Sequence, residues 1–168
     1  MAVSTQEAHD LFFALLRVHK LLLASRNATP GLHPGFDATA YPVLFAVAAA
    51  EQARISDLAD SLHNDVSTVS RQVSTFVTHG LMAKLPDATD GRAHVVTLTD
   101  AGRAAVREIQ ASRAEWFQGL LEDWDAERAE SFTEQLRSLG SALDDNLRAR
   151  GATPPAMPFI APTQTKED

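Results

Sequence analysis

A chain of 168 residues, 45% hydrophobic and 22% charged, has the balance of one folded domain with a real core, and its composition excludes global disorder. It has no cysteine, which removes disulfides, thiolate metal ligands and thiol redox sensing. The net charge of -7 argues against unspecific binding to polyanions, but it is unevenly spread: residues 54–103 hold 5 basic and 6 acidic side chains, and residues 104–168 hold 7 and 12.

The first ten residues, MAVSTQEAHD, lack a basic region followed by an apolar run, and no apolar stretch approaches the ~20 residues of a membrane span. The expectation is a cytoplasmic chain with no membrane partner. From Gln6 to Arg26, Leu11, Phe12, Leu15, Leu16, Val18, Leu21, Leu22 and Leu23 follow a helical spacing. Their apolar arc is wider than one core-facing stripe, so this helix needs covering on more than one side. The segment NATPGLHPGF, residues 27–36, reads as a loop. A second helix is predicted from Asp37 to Ala50, with Pro42 tolerated near its first turn.

Ser56 is placed as the N-cap of a short helix, Asp57 to His63, that carries Leu58, Ala59 and Leu62 on one face. After a tight break at His63-Asn64, Asp65 caps another helix, Val66 to His79. Its Val66, Val69, Val73, Phe76 and Val77 form a buried stripe, and Gly80 stops it. The opposite face carries Ser67, Thr68, Ser70, Arg71, Gln72, Ser74 and Thr75. A merely solvated face prefers Glu and Lys, which are better helix formers. Two readings stand: a Ser/Thr-rich outer face with no partner, or a face that enters the major groove of DNA. In the groove Arg bonds guanine, Gln bonds adenine, and hydroxyls reach bases or phosphates.

Leu81–Leu85 and His94–Thr99 are short strands joined by the turn-rich loop Asp87-Ala88-Thr89-Asp90-Gly91. Helix, turn, helix and hairpin in this order describe a winged helix-turn-helix. A long helix follows from Asp100 to Trp124, then another from Ala126 to Leu147 with Ala129, Phe132, Leu136, Leu139, Leu143 and Leu147 at the spacing of helix-on-helix packing. The predicted fold is mainly α, a winged helix-turn-helix with a short β-hairpin wing, whose N- and C-terminal helices form a dimerisation module. Its parts are an N-terminal helix and loop (1–36), the winged unit (37–99), the C-terminal helices (100–150) and a Pro-rich extended tail (151–168).

Six histidines are scattered without metal-ligand spacing, and no nucleophile-base, paired-carboxylate or phosphate-loop pattern occurs. No metal, no cofactor and no catalysis are expected.

These residues resemble the MarR family of winged helix-turn-helix regulators over Gln6 to Arg148. The resemblance is carried most specifically by Asp90-Gly91-Arg92-Ala93, Val95 to Thr99 and Ala101-Gly102-Arg103, with Ser67-Thr68-Val69-Ser70-Arg71 beside them. It implies a cytoplasmic homodimer that reads a pseudo-palindromic operator on double-stranded DNA, usually as a repressor of its own or neighbouring genes. By family position Ser67, Thr68 and Arg71 contact the major groove or phosphates, with Ser70 and Gln72 next. Arg92 probes the minor groove, and Asp90 and Gly91 support it. A small aromatic effector is frequent in the family, and its pocket here draws on His19, Leu23, Tyr41, Phe45 and Trp116, residues that also suit an ordinary core. Gly91 and Leu85 stand where relatives often carry cations, so the expected salt dependence is shallow. A winged-helix dimer that binds another protein instead of DNA remains the alternative reading.

Overall fold

The computed structural model describes residues 2–25, 38–87 and 93–154, and the chain divides into two compact units, Met1–Thr39 and Ala40–Asp168. In the first unit, helix α1 spans Thr5–Ser25. It starts one residue before the apolar period predicts because Ser4 and Glu7 close a capping box. The Ser4 backbone N–H and hydroxyl both donate to Glu7 Oε2, at 2.8 and 2.7 Å, and the Glu7 N–H returns to Ser4 Oγ at 3.3 Å. The Ser4 hydroxyl, and then its backbone N–H, hold the Glu7 carboxyl below its ordinary pKa. Helix α1 buries none of its residues, and Leu11, Phe12, Phe13, Leu16, Val18, Leu21, Leu22 and Leu23 are all exposed.

A single 3-10 turn, Ala38–Ala40, lies where the sequence predicts regular helix; α2 proper runs over Tyr41–Ala50 with Pro42 in its first turn. Val43, Leu44, Phe45, Ala46 and Val47 are all buried, as expected for a short helix that is apolar on every side. Strand β1, Gln52–Arg54, follows at once, a three-residue element too short to give an alternating pattern. It pairs antiparallel with β3 (His94–Leu98), which pairs antiparallel with β2 (Met82–Pro86), so the sheet order is β1-β3-β2.

Helices α3 (Ile55–Ser61) and α4 (Val66–Thr78) pack on each other between β1 and β2. The N-cap of α3 is Arg54 rather than Ser56: β1 delivers an extended backbone directly into the helix, and the Ser56 hydroxyl bonds Asp57 Oδ1 at 3.1 Å inside the first turn. The break between the helices is a Schellman closure. Asn64 N donates to Ala59 O and His63 N to Asp60 O, with His63 itself in the left-handed region at φ 51°. Helix α4 closes the same way, through Leu81 N to Phe76 O and Gly80 N to Val77 O, with Gly80 at φ 73°. Val69, Val73 and Phe76 form its buried stripe, whereas Val66 is 52% exposed and does not join it. Val66 is the first residue of the helix. Asp65 holds the N-cap position through its carbonyl, which accepts from Thr68 N and Val69 N, with no bond from its side chain.

Helix α5, Asp100–Leu120, starts at a crowded junction. Thr99 N donates to Leu81 O at 3.0 Å, the Thr99 hydroxyl donates to Gly80 O at 2.6 Å, and the same oxygen accepts from Gly102 N at 3.0 Å. A Cβ on Gly102 would stand 2.0 Å from Leu81 O. Arg103 is spent locally, on Leu98 O at 2.8 Å and Asp100 Oδ1 at 2.7 Å. Helix α5 ends at Leu120, short of the predicted Trp124, because Leu121–Trp124 form a turn and Asp125 caps α6 (Ala126–Ala149) by accepting from Arg128 N at 2.7 Å. Trp124 is held in that turn by the Arg128 guanidinium, 4.1 Å above its ring. Helix α6, like α1, buries none of its residues.

The junction at Gly102 generates a stability prediction. Gly102→Ala is expected to lower the denaturant midpoint by the equivalent of about 1–3 kcal/mol, because the backbone of Leu81 has to move. Gly119→Ala, where an added Cβ meets nothing, should be neutral or stabilising by up to about 1 kcal/mol. Equal effects of the two substitutions in urea titrations would refute the close-approach argument.

Candidate nucleic-acid interface

The outward face of α4 has two halves. Ser67, Arg71, Ser74 and Thr78 follow one another at helical spacing, and all four are exposed. In the second half the hydroxyls are used by the helix itself: Ser74 donates to Ser70 O at 2.8 Å, Thr75 to Arg71 O at 3.1 Å and Thr78 to Ser74 O at 2.9 Å. In the first half, the hydroxyls of Ser67, Thr68 and Ser70 bond no described residue, and no described carboxylate pairs with the exposed Arg71. Four donors therefore stand together over the first two turns. Gln72 is half-buried and lies toward the edge of the packed face, away from the ridge that carries Ser67 and Arg71. Of the five sequence-predicted residues on this helix, Ser67 and Arg71 face outward most fully, Thr68 and Ser70 flank them, and Gln72 is set back.

The hairpin brings β2 and β3 to a closing rung in which Asp87 N donates to Ala93 O at 3.0 Å. Asp90, Gly91 and Arg92 lie outside the described residues, as do residues 155–168 of the predicted tail. Lys84 and Leu85 are exposed along β2, and His94 opens β3 opposite Pro86. At the base of the hairpin is a pair that the sequence reading missed. Arg54 donates to Asp87 Oδ2 from Nε at 2.7 Å and from a terminal guanidinium nitrogen at 2.6 Å. The two residues are 33 positions apart, and the only signal would have been the strand at 52–54, itself unseen.

The predicted effector residues divide between the two units. His19 and Leu23 are exposed on α1, and Tyr41, Phe45 and Trp116 belong to the second unit. There Phe45 is buried, Tyr41 and Trp116 are half-buried, and the guanidinium of Arg113, on α5 one turn before Trp116, lies 4.9 Å from the Phe45 ring and 5.9 Å from that of Tyr41. The Tyr41 hydroxyl is enclosed and has no hydrogen-bond partner among the described residues. Arg113 carried no sequence signal, because its approach to α2 depends on how α5 packs.

Residues 36–94 match the model of the MarR family. The chain is 32% identical over 93 residues to the HTH-type transcriptional regulator YxaD of Bacillus subtilis (strain 168); the match covers 55% of this chain and 65% of that protein, so the chain spans less than two thirds of this curated relative's length. Among solved structures, a MarR family protein from Bacillus stearothermophilus superposes with a TM-score of 0.74 at 18% identity, over 84% of this chain and 99% of that one. The wild-type MarR of E. coli does so with a TM-score of 0.62 at 18% identity, over 83% and 98%. At these identities the structural likeness speaks to the fold. Over residues 36–94 the chain is thus similar to the MarR family, and the described fold is like that of MarR family proteins of known structure.

Proposed function

We propose that the protein is a dimeric, sequence-specific DNA-binding regulator, a repressor of its own or neighbouring genes. The observation that carries this reading is the first half of α4, where Ser67, Thr68, Ser70 and Arg71 present donors that no described residue pairs, on a helix that follows a tight turn. A helix of this kind enters the major groove by its N-terminal residues, and its base contacts come from those positions. Arg71 is assigned to base reading, Ser67 and Thr68 to bases or phosphates, Ser70 and Gln72 to supporting contacts. Arg92 is assigned to the minor groove on the strength of the sequence motif alone, with Asp90 and Gly91 as its support.

Dimerisation is assigned to α1, the end of α5 and α6. Each leaves large apolar side chains exposed in the single chain, among them Leu11, Phe12, Phe117, Leu120, Phe132, Leu136 and Leu143. An apolar surface of this extent is what a subunit interface covers. Two copies then place two α4 helices on half-sites about one DNA turn apart. A small aromatic effector is assigned to the neighbourhood of Tyr41, Phe45 and Trp116 in the second unit. A tyrosine hydroxyl enclosed with no partner among the described residues, beside an arginine stacked on two rings, supports a ligand that carries a polar group. Such a ligand releases DNA by favouring a dimer shape whose half-site spacing no longer fits.

Three measurements test the reading. Anisotropy titration with the DNA upstream of the protein's own coding sequence is expected to give tighter binding than a scrambled duplex, and Arg71→Ala to remove roughly 1–3 kcal/mol of that preference. An equal loss on both duplexes assigns Arg71 to phosphate instead. Arg92→Ala should weaken both duplexes alike and lower the salt slope by about one counterion, with the fold unchanged; unaltered affinity removes the wing from the interface. Sedimentation equilibrium at micromolar protein should return twice the 18.2 kDa chain mass, and a monomer there refutes the dimer.

A further inference from the structure

The pairing of Arg54 with Asp87 serves neither the apolar core nor the donor face of α4. Arg54 ends β1 and is the N-cap of α3, the first helix of the helix-turn-helix. Asp87 follows the last residue of β2, and its backbone N–H closes the last described rung of the hairpin. Between them runs β3: Val95 pairs with Arg54 on one side and with Leu85 on the other. The guanidinium therefore bridges across the middle strand and grips a single carboxylate oxygen, Oδ2, with two nitrogens at 2.7 and 2.6 Å. The Asp87 side chain keeps only 10% of its exposure and that of Arg54 keeps 40%. A carboxylate this far withdrawn from water depends on its counter-charge far more than a surface pair does.

The geometry points to Arg54 as a positioning residue: through Asp87 it fixes the base of the hairpin to the entrance of α3, so that hairpin and α4 meet DNA in one register. The inference rests on the DNA-binding reading above. It also accounts for an acidic side chain at the root of an element that approaches phosphates. Paired twice to a guanidinium, Asp87 presents little net negative charge to the duplex.

The test combines hydrogen exchange of the free, full-length protein with anisotropy titration on the upstream duplex, for Arg54→Ala, Asp87→Asn and the double variant. Asp87→Asn keeps the side chain's shape and so remains informative if Arg54→Ala does not fold. Each single variant is expected to speed exchange of the Asp87 amide by about tenfold, through local opening of the rung to Ala93, and the double variant to go no faster than either. Affinity for the duplex should fall about three- to tenfold in all three. Arg54→Lys, which keeps the charge and loses the two-nitrogen grip, should fall between wild type and Arg54→Ala. Unchanged exchange at Asp87 overturns the proposal, and so does a loosened rung with unchanged affinity. A wild-type protein that binds upstream and scrambled duplexes alike refutes the DNA reading instead, and exchange at Asp87 then still decides whether Arg54 holds the hairpin base.

Discussion

The arrangement of the second unit depends on one backbone approach, that of α5 to the residues that end α4. Gly80 and Leu81 close α4, and both of their carbonyls are taken by Thr99, one through its hydroxyl and one through its N–H. The same hydroxyl caps α5 by accepting from Gly102 N, and only a glycine at 102 lets the helix come this near. Four residues in two short segments thus settle where α4 stops, where the sheet's last strand leaves and in which direction α5 departs. The apolar core formed by Val43, Leu44, Val69, Val73, Phe76, Leu81, Met82, Val96, Val106 and Ile109 fills the space that this junction defines. Because the hydrogen bonds are directional and the core contacts are not, the junction supplies orientation and the core supplies most of the stabilisation.

Much of this was legible in the sequence where a single physical signal dominates. The period of Val69, Val73 and Phe76 gave α4 and its buried side, Gly80 gave its end, and the alternation in Val95 to Thr99 gave the central strand. The elements that were missed or displaced are those decided by partners distant in the chain. Strand β1 has three residues and exists because β3 offers it a ladder. Ser56 looks like a cap, but the strand before it carries the extended backbone further along, and the helix starts at Ile55 with Arg54 in the cap position. Val66 fits the apolar period of α4 and yet is exposed at the helix's first position. Asp90, Gly91 and Arg92, the residues on which the family resemblance rests most, lie outside the described part of the hairpin, so the structural reading of that motif stops at its base.

On α4, hydrogen-bond use divides a polar face that residue type leaves uniform. A Ser/Thr-rich face reads uniformly in the sequence, but the structure divides it into self-bonded hydroxyls at Ser74, Thr75 and Thr78 and ones at Ser67, Thr68 and Ser70 that bond no described residue. Hydroxyls that donate to the preceding turn have no proton left for a phosphate oxygen or a base acceptor. The useful donors are thus confined to the end that follows the turn at His63. That turn uses a histidine rather than glycine in the left-handed region, a conformation that non-glycine side chains adopt seldom and at some cost.

The exposed apolar faces of α1 and α6 have a thermodynamic consequence apart from symmetry. For a chain that covers these faces with a second copy, the folded state and the assembled state are parts of one equilibrium, so stability depends on how much protein is present. Each tenfold dilution weakens a dimer of this kind by about 1.4 kcal/mol relative to its separated chains. For such a dimer, a cell that holds few copies holds less durable ones, and degradation of the unpaired chain sharpens any fall in its abundance.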